Sequence, residues 1–440
     1  MPEPAALPLE PAAPPPEPAA PPPEQVEWPP EWAEWAGTKH EEIASSGRWR
    51  APVAFDAFGI EGNLSVQSAP TTAPTTAPTT TPAAAPATAG SAGSSVHVVA
   101  FASNDYLGLS THPRVIAAAR QALDTWGTGT GGSRLLTGTR PVHEGLERDL
   151  AEWKNTETAV VFPSGYAANL GVLTSLGDEG CQVFSDELNH ASIVDGARLA
   201  RAGVTIYRHG DVGHLDALIR QLRSQRIPGE KPRRILVVTD SVFSMDGDVA
   251  PLDDLCECCE RHGALLVTDE AHAVLGPDLD PSFRHAVRVG TLSKTLGSAG
   301  GFAAGPRVCT QLLVNRARSY IFSTAPTPAS MASAREAVCI LRSDEGARLK
   351  ATLSSRVAQL SPGNPSPIVA VVLGAEEVAL RASRELLDKG MWVPAIRPPT
   401  VPEGTSRLRI SLSAAHSTDQ VARLSQALAE LLDNRTRAAR

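Results

Sequence analysis

The sequence has no apolar run long enough to cross a membrane, few aromatic residues (5%) and no excess of positive charge. A membrane-spanning helix needs about 20 predominantly apolar residues, so no membrane anchor is expected. Asp and Glu number 48 against 40 Lys and Arg, and the formal net charge of -8 argues against a nucleic-acid partner. The first basic residue is Lys39. We therefore predict no signal or transit peptide and a cytoplasmic location.

Cysteine is also sparse, with six in 440 residues. Cys256, Cys258 and Cys259 are close together in DDLCECCERHGA, but no second cysteine pair or paired histidines lie at zinc spacing. The segment has a helical pattern, in which such thiols are more often a buried apolar face. We predict reduced cysteines and no metal site.

Two segments are poor in large apolar side chains. Residues 1–36 are rich in Pro, Ala and Glu and predict a disordered arm, although EWAEWAGTKHEEIASSG at its end has a helical pattern. Residues 37–100 predict an N-terminal segment with a Thr/Ala/Pro-rich insertion at about 68–95. Loop closure costs only about 0.6 kcal/mol per doubling of length, so the insertion is compatible with a folded protein.

The rest of the chain alternates short apolar runs with amphipathic helices. The runs that predict strands are AVVF, CQVFS, VTIYR, ILVVT, ALLVT and AVRVG, and HPRVIAAARQALDTWG and HEGLERDLAEWK have helical spacing. This order predicts an α/β fold, a mainly parallel sheet covered by helices on both faces, over residues 101–335. A smaller C-terminal α+β domain is predicted over 336–440, with SPIVAVVLG as a strand and EVALRASRELLDKG as a helix.

Reactive side chains follow two of these predicted strands. Asp269 and His272 come after ALLVT, and Lys294 closes GTLSK after AVRVG. Open α/β sheets bind ligands at the carboxyl ends of their strands. A lysine there can form a Schiff base with an aldehyde, and a buried aspartate can keep a pyridine nitrogen protonated. Singly, such residues are usually helix caps or surface charges, but together they predict a pyridoxal phosphate site.

Three other loops supply further candidate residues. FPSGYAAN places Gly165 and Tyr166 at a helix start, where backbone N–H groups can meet a phosphate. His190, in LNHASI, could lie flat on a cofactor ring, and Ser244, in SVFSMDGDVAPL, could donate to a ring hydroxyl. Taken alone, each of these segments could equally be a plain turn, a structural histidine or a loop.

A long series of motifs in this chain resembles that of the α-oxoamine synthases, which are fold-type I pyridoxal phosphate enzymes. The motifs, in order, are SNDYLGLS, GTGGSRLLTG, HEGLE, FPSGYAAN, LNHASI, SVFSMDGDVAPL, DEAH, GTLSKTLGSAGGF, YIFSTA and AIRPPTVPEGTSRLRISLSAAH. The resemblance covers roughly residues 101–416. The first and last motifs are typical of the members that act in biotin synthesis.

The resemblance implies a role for each matching residue. The implied catalytic residues are Lys294, as the Schiff-base lysine, with Asp269, His190 and His272. The implied cofactor-binding residues are Gly165, Tyr166, Ser244, Asp269, His272, Thr291, Lys294, Ser323 and Thr324, the last two reaching the phosphate of a neighbouring subunit. The implied substrate-binding residues are His190, Asn104, Thr400 on the acyl group and Arg409 on the amino acid carboxylate. Arg407 is expected to face outward from the same strand.

The activity implied by the resemblance is that of a pyridoxal phosphate-dependent acyltransferase. It joins an amino acid to an acyl thioester with loss of carbon dioxide, and in the biotin-pathway members the substrates are L-alanine and pimeloyl-CoA or its acyl-carrier-protein equivalent. A homodimer with shared active sites is also implied. Three sister reactions stay open: glycine with acetyl-CoA, glycine with succinyl-CoA, and serine with a long acyl-CoA. A non-catalytic partner subunit is the alternative of another class.

The chain departs from the family pattern in several places. Ala273 follows DEAH where a glycine is usual, and the segment from there to Lys294 is short. The part between Ser343 and Pro394 is compressed as well. These departures lie where the acyl pocket is expected to be formed. The family's N-terminal arginine for the acyl substrate has only Arg48 and Arg50 as candidates.

Overall fold

A short helix opens the described part of the chain. The computed structural model describes residues 28–65, 95–225, 229 and 231–438, and these fall into two compact units. The first unit comprises residues 1–54 and 66–94, and its described part contains helix α1 (Pro30–Ser45). The disordered arm predicted over 1–36 is therefore wrong for its last seven positions, because Pro30 begins a helix, where its fixed φ is tolerated. Residues 1–27 of that arm and 66–94 around the insertion lie outside the described residues.

The second unit, residues 55–65 and 95–440, contains every described strand. In chain order the strands are β1 (Phe55–Ala57), β2 (Glu61–Ser65), β3 (Ser95–Ala100), β4 (Thr158–Phe162), β5 (Cys181–Asp186), β6 (Gly203–Tyr207), β7 (Arg234–Asp240), β8 (Leu265–Asp269), β9 (Ala286–Thr291), β10 (Gly301–Gly305), β11 (Ile368–Gly374), β12 (Met391–Trp392), β13 (Ala395–Ile396) and β14 (Ser406–Ser411). Ser95, the last residue of the predicted insertion, begins a strand.

Twelve helices of the second unit accompany these strands. They are α2 (Pro113–Trp126), α3 (Pro141–Trp153), α4 (Gly165–Leu176), α5 (Ala191–Leu199), α6 (Val212–Ser224), α7 (Leu252–His262), α8 (Arg307–Arg316), α9 (Arg318–Ile321), α10 (Pro328–Leu341), α11 (Asp344–Leu360), α12 (Glu376–Asp388) and α13 (Thr418–Ala438). Within the described ranges, no helix has the length and apolar character that a bilayer requires.

The central feature is a seven-stranded sheet in the order β4-β10-β9-β8-β7-β5-β6. The pairs from β9 to β6 are parallel, as the sequence predicted, and all six predicted strands are present. The seventh strand, β10, runs antiparallel between β4 and β9 and was not predicted. Its sequence, GFAAG, contains no β-branched residue, so local propensity gave no signal for it.

Successive side chains along a strand of the sheet pack into two different hydrophobic cores, one on each face. On β4, Val161 packs in the core that α2, α3 and α10 supply, whereas Val160 and Phe162 pack with α4, α5 and α8. Helices therefore cover both faces, which explains why the predicted strands were continuously apolar instead of alternating.

Two smaller sheets complete the second unit. One has the order β1-β2-β3-β12, and its parallel pairing of β12 with β3 joins residues before 101 to the C-terminal region. The other is antiparallel, β11-β14-β13, and the predicted strand and helix at 366–390 are its β11 and the following α12. The predicted domain boundary between 335 and 336 falls inside α10, and the division into a large and a small domain stays a prediction.

A histidine held between two carboxylates connects the sheet to the loop after β7. His209 Nδ1 lies 3.0 Å from Asp186 Oδ1, and Nε2 lies 2.6 Å from Asp248 Oδ2. These hydrogen bonds raise the pKa of His209 from its usual 6.5 to about 10. The imidazolium therefore ties the end of β5 to this loop at neutral pH.

A buried ion cluster lies directly beyond the end of β8. Glu270 is within 2.7 Å of Lys154 Nζ and 2.5 Å of Arg288 Nε. Burial alone would raise the pKa of Glu270, but the two cations hold it below its usual value. The cluster links the residue after α3 to two neighbouring central strands.

Removing one cation from this cluster should destabilise the protein strongly. In Lys154→Ala the Glu270 carboxylate loses a partner in a buried site, and breaking such a pair costs about 3–5 kcal/mol. Urea denaturation measures the loss in the free energy of unfolding. Lys389→Ala breaks an exposed pair with Glu430 and serves as the control, which should unfold almost as the wild type does. Equal stability of the two variants would contradict the prediction.

Stability conferred by His209 should depend on pH in a stated direction. Because its pKa is raised on folding, the charged clamp contributes fully below about pH 6.5 and is lost as the pH rises through about 10. The difference in the free energy of unfolding between wild type and His209→Asn should therefore shrink across that interval. The exposed His97 on β3 gives the control variant, His97→Asn. A constant difference for His209→Asn would refute the charged clamp.

Candidate active site

Several of the predicted site residues gather at one edge of the seven-stranded sheet. Asp186, Asp240, Asp269 and Thr291 are the last residues of β5, β7, β8 and β9. These strands run in the same direction, so their carboxyl ends meet at that edge. The topology therefore assembles the site from segments more than one hundred residues apart in the chain.

Lys294 lies at the centre of this edge, just after β9. Its Nζ atom is 2.7 Å from His272 Nε2. Burial lowers the pKa of Lys294, against the opposing charges of Asp269 and Asp240. A lysine with a lowered pKa is more often an uncharged amine and hence a better nucleophile.

His272 joins Lys294 to a residue that the sequence analysis missed. The Tyr106 hydroxyl donates to Asn104 Oδ1 at 3.1 Å, so His272 Nδ1 donates to the Tyr106 oxygen at 2.5 Å. His272 Nε2 is then left to accept from Lys294. Burial and the nearby charges of Lys294 and Arg409 lower the pKa of His272 well below its usual value. Tyr106 is part of the SNDYLGLS motif, which is the sequence feature that could have identified it.

Asp269 is buried and held by two donors. Its Oδ2 accepts a 2.6 Å hydrogen bond from Asn169 Nδ2, and its Oδ1 accepts the Ala271 backbone N–H at 2.9 Å. Asn169 was also missed, although it is the last residue of FPSGYAAN and lies one helical turn after Gly165. The carboxylate orientation is therefore fixed by the helix on the adjoining face.

His190 caps helix α5 at the mouth of the site. Its Nδ1 accepts the Ser192 backbone N–H at 3.2 Å and lies 2.7 Å from the Ser192 hydroxyl. Much of the ring is exposed, yet burial of the remainder lowers the pKa of His190, which the charge of Asp269 partly opposes. The His190 backbone N–H donates to Asp240, a carboxyl group whose pKa burial and Asp269 raise well above its usual value.

The start of α4 forms a narrow cradle beside Thr291. Ser164 caps the helix by accepting the Ala167 N–H at 3.1 Å. A Cβ added at Gly165 would lie 3.2 Å from Thr291 Cβ, so the glycine keeps the backbone approach open. The Thr291 hydroxyl contacts Ser293 Oγ at 2.7 Å and the Gly300 carbonyl at 3.0 Å. N–H groups of a first helical turn and adjacent hydroxyls form a good anion site.

The Tyr166 side chain reaches across to α5. Its side chain is 43% exposed and its hydroxyl donates to the Asp195 carboxylate. The structure therefore places the Tyr166 backbone, but not its ring, at the cradle.

Two arginines of β14 reach the loop after β7. Arg409 donates to the Ser244 carbonyl, to Ser411 Oγ at 2.8 Å and to Asn104 Oδ1 at 3.2 Å. Ser244 thus contacts Arg409 through its backbone carbonyl and not through its hydroxyl. The outward orientation expected for Arg407 is wrong, because it is buried and pairs with Asp246. Residues two apart on a strand share a face, so both arginines point the same way.

Three predicted residues lie apart from the Lys294 cluster. Thr324 forms a β-bridge with Ser133, beside Ser323, and Thr400 lies exposed after β13. In the part of the chain that the structure describes, none of the three hydrogen bonds to a residue around Lys294.

Away from the strand ends, one cluster contains side chains of the types that bind metal ions. Cys258 has ligand-type atoms of Asp216 and His262 within 4.8 Å. The sequence analysis did not connect Asp216 with this helix, because it lies on α6. Arg220 already pairs with that carboxylate at 2.7 Å, and a bound cation would face this positive charge.

Comparison with known proteins gives concordant matches. The family model of aminotransferase class I and II matches residues 96–428. The 8-amino-7-oxononanoate synthase of Anaeromyxobacter dehalogenans is 48% identical over 352 residues, covering 76% of this chain and 86% of that protein.

Two solved structures share the fold. Serine palmitoyltransferase of S. paucimobilis, with bound pyridoxal phosphate and myriocin, has a TM-score of 0.76 and 27% identity, covering 91% of this chain and 97% of that one. The 8-amino-7-oxononanoate synthase of Francisella tularensis has a TM-score of 0.63 and 25% identity, covering 78% and 98%. The predicted fold-type I architecture is confirmed. The chain belongs to the aminotransferase class I and II family of pyridoxal phosphate-dependent enzymes.

Proposed function

We propose that this enzyme is an 8-amino-7-oxononanoate synthase that joins L-alanine to a pimeloyl thioester, releasing carbon dioxide and the thiol carrier. The observation that carries the proposal is the 48% identity to a synthase of that name. The site is compatible with it, because Lys294, His272 and Asp269 lie together at the strand ends. The carrier of the pimeloyl group is coenzyme A or an acyl carrier protein.

Pyridoxal phosphate fits the residues at this edge. The cradle at Gly165, which a Cβ would narrow against Thr291, suits the phosphate. Lys294 would attach the cofactor, and buried Asp269 would pair with its ring nitrogen. His272 Nε2, which faces Lys294, would bond the ring oxygen together with Ser244, and the exposed ring of His190 would stack on the cofactor. When bound, the cofactor withdraws electrons from the amino acid carbon during proton and carbon dioxide loss.

The protein groups have separate tasks around that chemistry. Arg409 would bind the carboxylate of the amino acid. Its three nitrogens each make one hydrogen bond in the described structure, and a guanidinium has five N–H donors, so donors remain for a substrate. Lys294, with its lowered pKa, would accept the α-proton at Nζ and return a proton to the same carbon after carbon dioxide has left. Asn104 would orient Arg409, and Thr400 would contact the acyl group.

A homodimer with shared sites is part of the proposal. Ser323 and Thr324 lie apart from the cluster of their own chain, as residues directed to a neighbouring subunit would. Beside them, Leu136 is 81% and Phe322 is 71% exposed, and the bridge of Thr324 to Ser133 brings their loops together. Exposed apolar side chains of this kind favour burial against a second copy.

Serine palmitoyltransferase activity is the second candidate. It has the support of the backbone similarity, with a TM-score of 0.76. Sequence identity to that enzyme is only 27%, against 48% for the biotin-pathway relative. We therefore prefer L-alanine and a pimeloyl group. A non-catalytic role is disfavoured because Lys294, Asp269 and His272 are all present and lie at the same edge of the sheet.

The decisive assay follows thiol release from purified, cofactor-loaded protein. We expect release with L-alanine and pimeloyl-CoA or pimeloyl-acyl carrier protein, and little with glycine and acetyl-CoA, glycine and succinyl-CoA, or serine and palmitoyl-CoA. Lys294→Ala should abolish both release and the visible absorbance of lysine-bound cofactor. The active species should have about twice the chain mass of 46.2 kDa. Preference for serine with palmitoyl-CoA would transfer the chain to the second candidate.

Arg409→Lys tests the proposed carboxylate contact. Lysine retains the charge but loses the two-pronged geometry, and a hydrogen bond to a charged group contributes about 1.5–3 kcal/mol. KM for L-alanine should rise by about 10- to 100-fold, with a smaller change in KM for the acyl donor. The control is Arg335→Lys, which alters an arginine of α10 that pairs with Asp149 of α3. An unchanged KM for alanine in Arg409→Lys would exclude the assignment.

A further inference from the structure

We propose that Ser192, oriented by Asn169, holds His190 as the neutral tautomer with its proton on Nε2. In this state His190 is a hydrogen-bond donor toward the site and not the base that takes the α-proton. Ser192 and Asn169 are then positioning residues for the reaction. The inference deepens the proposed function and rests on it for the identity of the substrate.

The first support is the position of His190 as the cap of α5. Its Nδ1 accepts the Ser192 backbone N–H at 3.2 Å. A nitrogen that accepts this bond has its lone pair directed at the helix, so the proton of a neutral imidazole lies on the other nitrogen. Capping alone therefore favours the Nε2–H form.

The direction of the Ser192 hydroxyl gives the second support. Ser192 Oγ is 2.9 Å from Asn169 Nδ2 and 2.7 Å from His190 Nδ1. The amide nitrogen Nδ2 can only donate, so Oγ accepts from Asn169. The single hydroxyl proton then points to His190 Nδ1, which receives a second donor.

Asp269 sets the orientation of the Asn169 amide. Asn169 Nδ2 is 2.6 Å from Asp269 Oδ2, and turning the amide over would bring two oxygens together at that distance. Both Nδ2 protons are consequently used, one on Asp269 and one on Ser192. The Asp269 carboxylate and the tautomer of His190 are therefore linked through one amide group.

The oxygen of the same amide, Asn169 Oδ1, indicates that Asn169 is not at this position for its contribution to stability. Asn169 Oδ1 is buried and has no hydrogen-bond partner in the described structure. An unsatisfied buried acceptor costs about 1–3 kcal/mol. An apolar residue would avoid this cost but would leave Asp269 and Ser192 without their donor.

The proton path of the reaction follows from this tautomer. His190 could gain a proton only at Nδ1, where the Ser192 N–H and O–H groups already point. Protonation there would break the contact with the Ser192 N–H and force the Ser192 hydroxyl to turn its proton away. It would also place a cation beside Lys294, and burial lowers the pKa of His190. The α-proton therefore goes to Lys294 Nζ, while His190 Nε2–H can donate to a substrate oxygen.

The direct test is nitrogen NMR of the holoenzyme labelled with 15N-histidine. The His190 signals are assigned by their loss in His190→Asn. We expect an Nε2–H, Nδ1-lone-pair pattern from about pH 6 to about pH 9, the range in which a free imidazole titrates and becomes neutral. An Nδ1–H pattern, or a doubly protonated ring above about pH 7, would overturn the proposal.

Ser192→Ala separates positioning from folding. The variant retains the backbone donor but loses the hydroxyl, so a second tautomer should appear and His190 should protonate at higher pH, closer to 6.5. Loss of one hydrogen bond of about 1.4 kcal/mol predicts about a tenfold fall in kcat, with KM and the visible cofactor spectrum little changed. Ser192→Thr, which restores a hydroxyl, should recover the wild-type pH profile.

Ser175→Ala is the matched control, since Ser175 is a buried serine of α4 whose hydroxyl has no partner in the described structure. It should keep the wild-type tautomer and pH profile. If Ser192→Ala behaves in the same way, the lock does not exist. The tautomer is measured without substrate, so a correct NMR pattern in an enzyme inactive with alanine and pimeloyl thioesters would remove the proposed function and leave the lock standing.

Discussion

The buried carboxylate of Asp269 is the group on which the rest of the site depends. It lies at the end of a central strand and fixes the amide of Asn169, which in turn orients Ser192 and His190. Its charge also opposes the burial that lowers the pKa of Lys294. A carboxylate in such a site interacts more strongly than in water, because few solvent dipoles compete. Its two donors, Asn169 and the Ala271 N–H, make the burial tolerable.

Asp269 and the next residue have separate electrostatic surroundings. Glu270 is neutralised by Lys154 and Arg288, whereas Asp269 is held by uncharged donors. The charge of Asp269 acts instead on Lys294 across the site. The adjacent buried ion cluster meanwhile ties together the chain segments that carry the strand end. The DEAH motif therefore places an acid with two uncharged donors directly before the acid of a buried ion cluster.

The C-terminal strand β14 completes the site through two arginine side chains that bind the loop after β7. Arg409 binds the Ser244 carbonyl, and Arg407 pairs with Asp246 in the same loop. On the other side of that loop, His209 binds Asp248. The loop after β7 is thus fixed from two directions, and Arg409 is held at a constant position relative to Asn104. Rigid placement of a guanidinium is what recognition of a carboxylate requires.

The sequence by itself determined the fold class, six strands of the central sheet and the residues at their ends. The strand predictions succeeded because buried parallel strands are continuously apolar. The roles assigned to the residues that follow them stay predictions. Local sequence could not reveal β10, whose Gly and Ala residues become a strand only between β4 and β9. Nor could it place Asn169 against Asp269 or Tyr106 against His272, since these pairs are brought together by chain crossovers. Only the tertiary structure decided the inward direction of Arg407 and the direction of each hydrogen bond, because both depend on which partners face a side chain in space.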